Sequence, residues 1–356
     1  MKEAAMRGNH KTVFGILAIL SLLALLGRAL LQPIGTVSVQ ALTPVKMGKQ
    51  ESPSATTDTG LEITAYVTGW VEAPADILID QEATNLPNEL TIDQWVPSVA
   101  YAVRHPDLGV VILDAGLRAG DCDYGTRPVY WVPCRNTLGS DLVSQLKRTN
   151  IRPQDIRHII PSHFHGDHIS GLESLLAYTD APLLMTSGSL DEIQSPTRFA
   201  AGIPSAMLAS DMRVELLDTH WKVDPLLGES FDVFGDGSLK IFQTQGHTND
   251  HLSALVVTKN QTTLLMFDAA HLRANFDLGI PSGAVTSQQD ALESLERIHN
   301  ISDAMPGIMI IYGHEPTQWA CIDASINLDL LNPTCDPSVS PPNSLVKPKG
   351  RRWGAP

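Results

Sequence analysis

The strongest constraint on this chain is a set of four short segments, each following a run with strand character and each carrying metal-binding side chains. In chain order they are Ser162-His163-Phe164-His165-Gly166-Asp167-His168, Gly246-His247-Thr248, Phe267-Asp268-Ala269-Ala270-His271 and Tyr312-Gly313-His314. The first puts three imidazoles and a carboxylate into six residues. Packing alone rarely calls for such a density, because each of these groups must be solvated, paired or bound to a cation. The four segments together read as a two-metal hydrolytic centre.

The runs between them predict how the segments are brought together. Residues 61–69 alternate apolar and polar as a half-buried strand does. Val99, Tyr101 and Val103 share one strand face, and Val110-Val111-Ile112-Leu113 is a short buried run that stops at Asp114-Ala115-Gly116. Ser140 is placed to cap a helix running to about Thr149, and residues 156–160 make a strand that ends where the histidine cluster begins. The placement recurs: residues 239–244 lead into His247, 264–267 into Asp268 and 308–312 into His314. Strand ends meeting on one rim are how an α/β scaffold gathers ligands from distant sequence. A helix over residues 287–298, with Ser287 as its cap, carries Ala291, Leu292, Leu295 and Ile298 on one stripe and predicts a cover for one sheet face.

Length and charge narrow the remaining choices. The 356 residues allow one large domain or two smaller ones. A formal net charge of -14 argues against nucleic acid, whose binding rests on basic surfaces that neutralise phosphates. Lys2, Arg7 and Lys11 precede an apolar run over residues 13–27, which reads as an export signal or membrane anchor. Val39-Gln40-Ala41 has the pattern of a cleavage site; removal and retention both stay open, and in either case the remainder is expected outside the cytoplasm. Residues 32–60 read as a linker, 61–335 as the folded domain, and 336–356 as a basic, proline-rich tail. Two local disulfides, Cys122 with Cys134 and Cys321 with Cys335, are the simplest of the three pairings. Residues 187–235 mix Gly, Ser and Pro with short apolar patches and fit a substrate lid or scaffold equally.

The His-x-His-x-Asp-His cluster, followed in order by His247, Asp268 and His314, resembles the metallo-β-lactamase fold superfamily over roughly residues 61–335. The resemblance implies an α/β (α+β) fold, a four-layer αββα sandwich, with two divalent ions, zinc by preference, at one edge between the sheets. It assigns His163, His165 and His247 to one ion, Asp167, His168 and His314 to the other, and Asp268 as the bridge. Two such ions acidify a shared water and polarise a carbonyl or phosphoryl oxygen, with Asp167 orienting the water or taking its proton.

Asp268 separates the chain from ordinary zinc β-lactamases, which lack a bridging carboxylate at that position. Gly-His-Thr-x-x-His at 246–251, Phe234-Gly235-Asp236-Gly237-Ser238 and the short gap from His247 to Asp268 are most similar to the N-acyl-homoserine lactonases and their relatives. The expected activity is hydrolysis of a small-molecule lactone or ester. Phosphodiester or thioester hydrolysis, and a non-catalytic metal-holding role, are the alternatives. Two features depart from the lactonase pattern: Thr248-Asn249-Asp250 lacks the usual Pro-Gly, and His271 stands where many lactonases place a Tyr that contacts the substrate carbonyl. His271 is thus a candidate catalytic hydrogen-bond donor or a support for the ligands. Asp114 either holds a ligand imidazole or closes its own turn. His251 is expected to support structure, and His105, His158, His220 and His299 to be ordinary core or surface residues.

Overall fold

The computed structural model describes residues 34–42 and 60–330, except 85, 123–132, 197, 199–202, 204–207, 209 and 321–324. Two sheets face each other. The larger is ordered β1 (Val37–Gln40), β8 (Met212–Leu216), β7 (Leu183–Met185), β6 (Ile156–Ile160), β4 (Gly109–Leu113), β3 (Gln94–His105), β2 (Glu62–Ala73) and β15 (Ser325–Asn327), with β5 (Cys134–Arg135) pairing to β2. It is parallel from β1 to β4 and antiparallel from there to β15. The smaller is ordered β14 (Met309–Tyr312), β13 (Thr262–Phe267), β12 (Leu252–Val257), β11 (Leu239–Gln243), β10 (Gly228–Asp232) and β9 (Lys222–Asp224), antiparallel except for the β13–β14 pair. The helices are α1 (Ala75–Leu78), α2 (Leu142–Arg148), α3 (Gly166–Ile169), α4 (Leu172–Tyr178), α5 (Ser187–Gln194), α6 (Arg273–Leu278), α7 (Gln288–Ala304) and α8 (Pro316–Trp319).

Strand alternation sorts the core into layers. Ile63, Val67, Val99, Tyr101, Val103, Val111 and Leu113 point from the large sheet into a shared core with Ile241, Ala254, Val256, Leu265 and Ile311 of the small one. Their neighbours Tyr66, Ala100, Ala102, Val110 and Ile112 point the other way, against Leu142 and Leu146 of α2, Leu172 and Leu175 of α4, and Leu190 and Ile193 of α5. On the outer face of the small sheet, Phe242, Leu255, Leu264 and Met266 lie under Leu295, Ile298 and Ile301 of α7. Each such Leu or Ile contributes about 1.5–3 kcal/mol by leaving water, so the helices are held by their apolar stripes. The result is the helix–sheet–sheet–helix sandwich expected from the sequence.

Several local expectations are corrected. Helix α2 is capped by Asp141, whose Oδ1 accepts from Ser144 N at 2.9 Å; Ser140 instead donates to the Thr68 and Thr137 carbonyls. Ser287 does cap α7, accepting from Asp290 N, but Leu292 is 40% exposed and Ile301 completes the buried stripe. Within the stretch read as linker, Val37–Gln40 forms an edge strand parallel to β8, and Gly35 N donates to the Leu208 carbonyl. Where residues 187–235 are described they are largely scaffold: α5, β8, β9 and β10. Cys122 and Cys134 form the expected disulfide, whereas Cys321 and Cys335 lie outside the described residues. The leader over residues 1–31 and the tail over 336–356 also lie outside them; among the described residues no helix is long and apolar enough to cross a membrane.

Candidate metal centre

Four strand ends deliver the side chains to one place. The chain leaves β6 into the Ser162–His168 segment, leaves β11 into the turn bearing His247, leaves β13 directly into Asp268, and leaves β14 into Gly313 and His314. Two backbone features make the approach close enough. Phe267 has φ 46°, a left-handed conformation that an aromatic residue adopts only when its surroundings impose it, and it turns the next residue off the strand. Gly313 passes so near that a Cβ there would lie 2.5 Å from the Phe267 carbonyl oxygen and 2.6 Å from Oδ1 of Asp268.

The seven sequence-predicted ligands come together. Ligand atoms of His163, His165, His247 and Asp268 lie within 4.8 Å of one another, as do those of Asp167, His168 and His314. Asp268 stands between the two groups. Its Oδ1 is 3.2 Å from Nε2 of His168 and 3.2 Å from Nε2 of His314, while its Oδ2 is 3.3 Å from Nε2 of His247 and 3.6 Å from Nε2 of His163. Asp167 Oδ2 is 3.4 Å from Nε2 of His314. The ring nitrogens of His165 (Nδ1) and His247 (Nε2) approach to 2.8 Å.

Outward hydrogen bonds fix which nitrogen faces in. The His247 Nδ1–H donates to the Ala284 carbonyl at 2.9 Å and the His314 Nδ1–H to the Pro97 carbonyl at 2.9 Å, so each ring turns a lone pair on Nε2 inward. Asp114 does the same for His168, its Oδ2 accepting from Nδ1 at 2.8 Å. The same carboxylate accepts from the backbone N and the hydroxyl of Ser162, and the Ser162 hydroxyl lies 3.1 Å from Nδ1 of His163. Asp114 therefore holds the His168 ring, and it does so at φ 59°. His251 supports structure as expected: its Nε2 accepts from the Asp268 backbone N at 3.1 Å, and its Nδ1 pairs with Thr244 Oγ1 at 2.8 Å. Burial pushes that imidazole down to about 3, which keeps it neutral.

The arrangement suits cations. Nε2 of His163, Nε2 of His168 and Oδ1 of Asp268 are buried and make no hydrogen bond among the described residues, a costly state for inward-facing polar atoms that coordination would relieve. Burial opposes charge on every group here, yet Asp268, Asp114 and Asp167 together raise the His168 imidazole well above its ordinary range, and Asp268 raises His314. Burial works against the Asp268 carboxylate too, but His168, His314 and His271 hold it well below the usual carboxylate range. Where burial wins, at His163 and His247, the rings are pushed well below the ordinary histidine range and stay neutral. Imidazole and carboxylate donors, with no thiolate, match the chemistry of zinc and related divalent ions.

His271 also enters the cluster. Its Nε2 lies 3.2 Å from Oδ2 of Asp268, and its Nδ1 is buried without a hydrogen-bond partner among the described residues. Among the described residues the other histidines fall elsewhere: His105 pairs with Asp236, buried His158 pairs with Glu215, His220 lies beside Phe231, and His299 stacks on Phe276. The carbonyls of Pro97 and Ala284 carry no side-chain signal in the sequence, so only the fold exposes their part. Asp114 is a support that the sequence already offers, and Ser162, adjoining the histidine motif, is another that sequence position could have flagged.

Comparison with known proteins agrees with this geometry. The chain is 25% identical over 241 residues, 64% of its length and 85% of the relative's, to the N-acyl homoserine lactonase AttM of Rhizobium johnstonii. It is 26% identical over 178 residues, 50% of its length and 63% of the relative's, to the N-acyl homoserine lactonase AiiA of Bacillus thuringiensis subsp. kurstaki. Among solved structures, a quorum-quenching N-acyl homoserine lactone lactonase superposes with a TM-score of 0.56 at 19% identity, covering 72% of this chain and 93% of that one. The dizinc quorum-quenching lactonase AidC does so with a TM-score of 0.52 at 14% identity, covering 76% and 95%. These superpositions establish the shared fold. The profile described as Metallo-beta-lactamase superfamily matches residues 93–314, a span that runs through every one of the seven clustered side chains, and the chain belongs to that superfamily.

Proposed function

We propose that this protein hydrolyses a small-molecule lactone or ester, most specifically an N-acyl-homoserine lactone, at a centre of two divalent ions, outside the cytoplasm. His163, His165 and His247 would hold one ion, Asp167, His168 and His314 the other, and Asp268 both. The observation that carries this is the placement of the Asp268 carboxylate between the two histidine groups, with Oδ1 at 3.2 Å from Nε2 of His168, Oδ2 at 3.3 Å from Nε2 of His247, and Nε2 of His314 within 3.3 Å of both oxygens. Likeness over 241 residues to a lactonase supports the substrate class. The donor set supports zinc. The Cys122–Cys134 disulfide supports an oxidising compartment.

When bound, a pair of divalent ions lowers the pKa of water and polarises a carbonyl. The protein's own groups do the rest. Asp167 has a side chain 21% exposed, whereas those of Asp268, His168 and His314 are 4–5% exposed, so Asp167 is the carboxylate that meets incoming water and takes its proton. His271 acts as a donor. If its Nε2 were a lone pair turned to an ion, a buried Nδ1–H would be left unpaired at a cost of about 1–3 kcal/mol. With the proton on Nε2 the unpaired Nδ1 is an acceptor instead, and the Nε2–H has an acceptor in Oδ2 of Asp268 at 3.2 Å, from which it can turn to the oxygen of a bound ester.

The test is a panel of lactones, simple esters, β-lactams, thioesters and phosphodiesters, run on the full chain with metal analysis of the same sample. Lactone turnover by protein carrying two ions is expected. Turnover confined to phosphodiesters, or occupied metal with no hydrolysis at all, would overturn the proposal.

A further inference from the structure

The helix that carries Asp167 and His168 is gripped from outside the centre. Ala115 N and Gly116 N both donate to the His168 carbonyl, at 2.7 and 2.9 Å, and Gly171 N donates to the Gly116 carbonyl at 2.8 Å. Ser170, two residues after His168, donates its hydroxyl to Oδ2 of Asp121, whose side chain is 1% exposed. Arg118 donates its backbone N to the same oxygen at 2.8 Å, and its guanidinium pairs with Asp121 and with Glu173 of α4.

This grip is itself fastened to the large sheet. Cys122, next to Asp121, is bonded to Cys134, and Cys134 and Arg135 pair with Val71 and Trp70 of β2. Asn136 Nδ2 donates to the Arg118 carbonyl at 2.8 Å, closing the loop from its other end. The rings of His163 and His247 are held differently, by Ser162 and by the Ala284 carbonyl. The helix bearing Asp167 and His168 thus leans on the stretch from Ala115 to Asp121, which the Cys122–Cys134 bond ties to β2.

We infer that Asp121, anchored by the Cys122–Cys134 disulfide, is a positioning residue for the Asp167/His168/His314 half of the centre, so that the state of the disulfide governs how tightly that half takes its ion. The inference rests on the two-ion reading above. The ligands at 167 and 168 are consecutive on a helix of four residues, too short to hold its own geometry, so their spacing against His314 depends on what clamps it. Opening the disulfide with a phosphine breaks the S–S bond by two electrons. The phosphine becomes its oxide with oxygen from water, whose two protons go to the thiols.

The experiment is a zinc and cobalt(II) titration of the full chain, read by bound-metal stoichiometry, by competition with a chelator and by the cobalt absorption spectrum. Wild-type protein, phosphine-reduced protein, Cys122→Ser/Cys134→Ser, Asp121→Ala, Asp121→Asn and the milder Ser170→Ala are compared, with circular dichroism to confirm folding. The expected result is two ions on the wild type. In the reduced protein, the double Ser variant, Asp121→Ala and Ser170→Ala, one ion stays tight and the other weakens by about 10–100-fold. Asp121→Asn, which keeps one acceptor for Ser170 but loses the charge opposite the Arg118 guanidinium, is expected to fall between the wild type and Asp121→Ala. Equal affinity for both ions in folded Asp121→Ala and Ser170→Ala overturns the inference while leaving the two-ion reading intact, and so does loss of both ions together. A wild type that binds fewer than two ions fails the two-ion reading itself, and the inference falls with it.

Discussion

Oδ2 of Asp114 accepts a hydrogen bond from Nδ1 of His168 across 2.8 Å, with both side chains buried. The carboxylate selects the tautomer that turns Nε2 inward and raises the basicity of the ring. It also braces Ser162, so a single buried charge orders the start and the end of the histidine segment.

Replacing Asp114 by Asn leaves only one acceptor oxygen for three donors. The affinity for the ion held by His168 is expected to fall by about 10–100-fold. Competition between the protein and a chromogenic chelator measures this directly; an affinity within twofold of the wild type would mean that Asp114 merely shapes its own turn.

His271→Phe keeps an aromatic ring and removes the N–H. As a donor to substrate, His271 should be worth about 100-fold in kcat, with both ions retained. Loss of an ion from this variant, measured by elemental analysis, would show that His271 is a ligand.

Gly313→Ala would place a methyl group 2.5 Å from the Phe267 carbonyl oxygen and 2.6 Å from Oδ1 of Asp268. Backbone cannot give way as a flexible side chain can, so a loss of about 1–3 kcal/mol is expected from urea unfolding. An unchanged midpoint would mean that the approach of β14 to Asp268 is looser than the structure places it.

A chain beginning at Gly60 would lose β1 and the packing of Ile34 and Val37 on the α2–α5 side of the large sheet, leaving the β8 edge open. Compared with a chain beginning at Gln32, it should be less stable by about 1–3 kcal/mol and more prone to aggregate. Matching unfolding curves for the two would make β1 dispensable.

The site was more legible in the sequence than its surroundings. His163, His165, Asp167 and His168 are adjacent, and His247, Asp268 and His314 each follow a run whose apolar pattern marks a strand, so the candidate segments and their scaffold were legible locally, and the family resemblance supplied the division of the ligands between two ions. What was missed depends on distant partners. Val37–Gln40 is polar enough to read as linker and becomes a strand only by pairing with Met212–Leu216. Ser140 and Asp141 are equally good capping types, and the choice between them is made by the Thr68 carbonyl, which engages the Ser140 hydroxyl. Leu292 fits a helical stripe by spacing but stands 40% exposed, while Ile301, one turn past the expected end, packs on the small sheet with Leu295 and Ile298. The sequence offers Asp114 both as a holder of an imidazole and as the close of its own turn, and the fold selects the first, whereas the role of Asp121 required the fold.

The central claim is that Asp268 is shared by two ions. Its most direct test is bound-metal stoichiometry and lactone turnover measured on the same samples of wild type and Asp268→Ala. Two ions per wild-type chain, with metal and turnover lost together in the variant, is the predicted result. A variant that still turns over lactone without metal would contradict it.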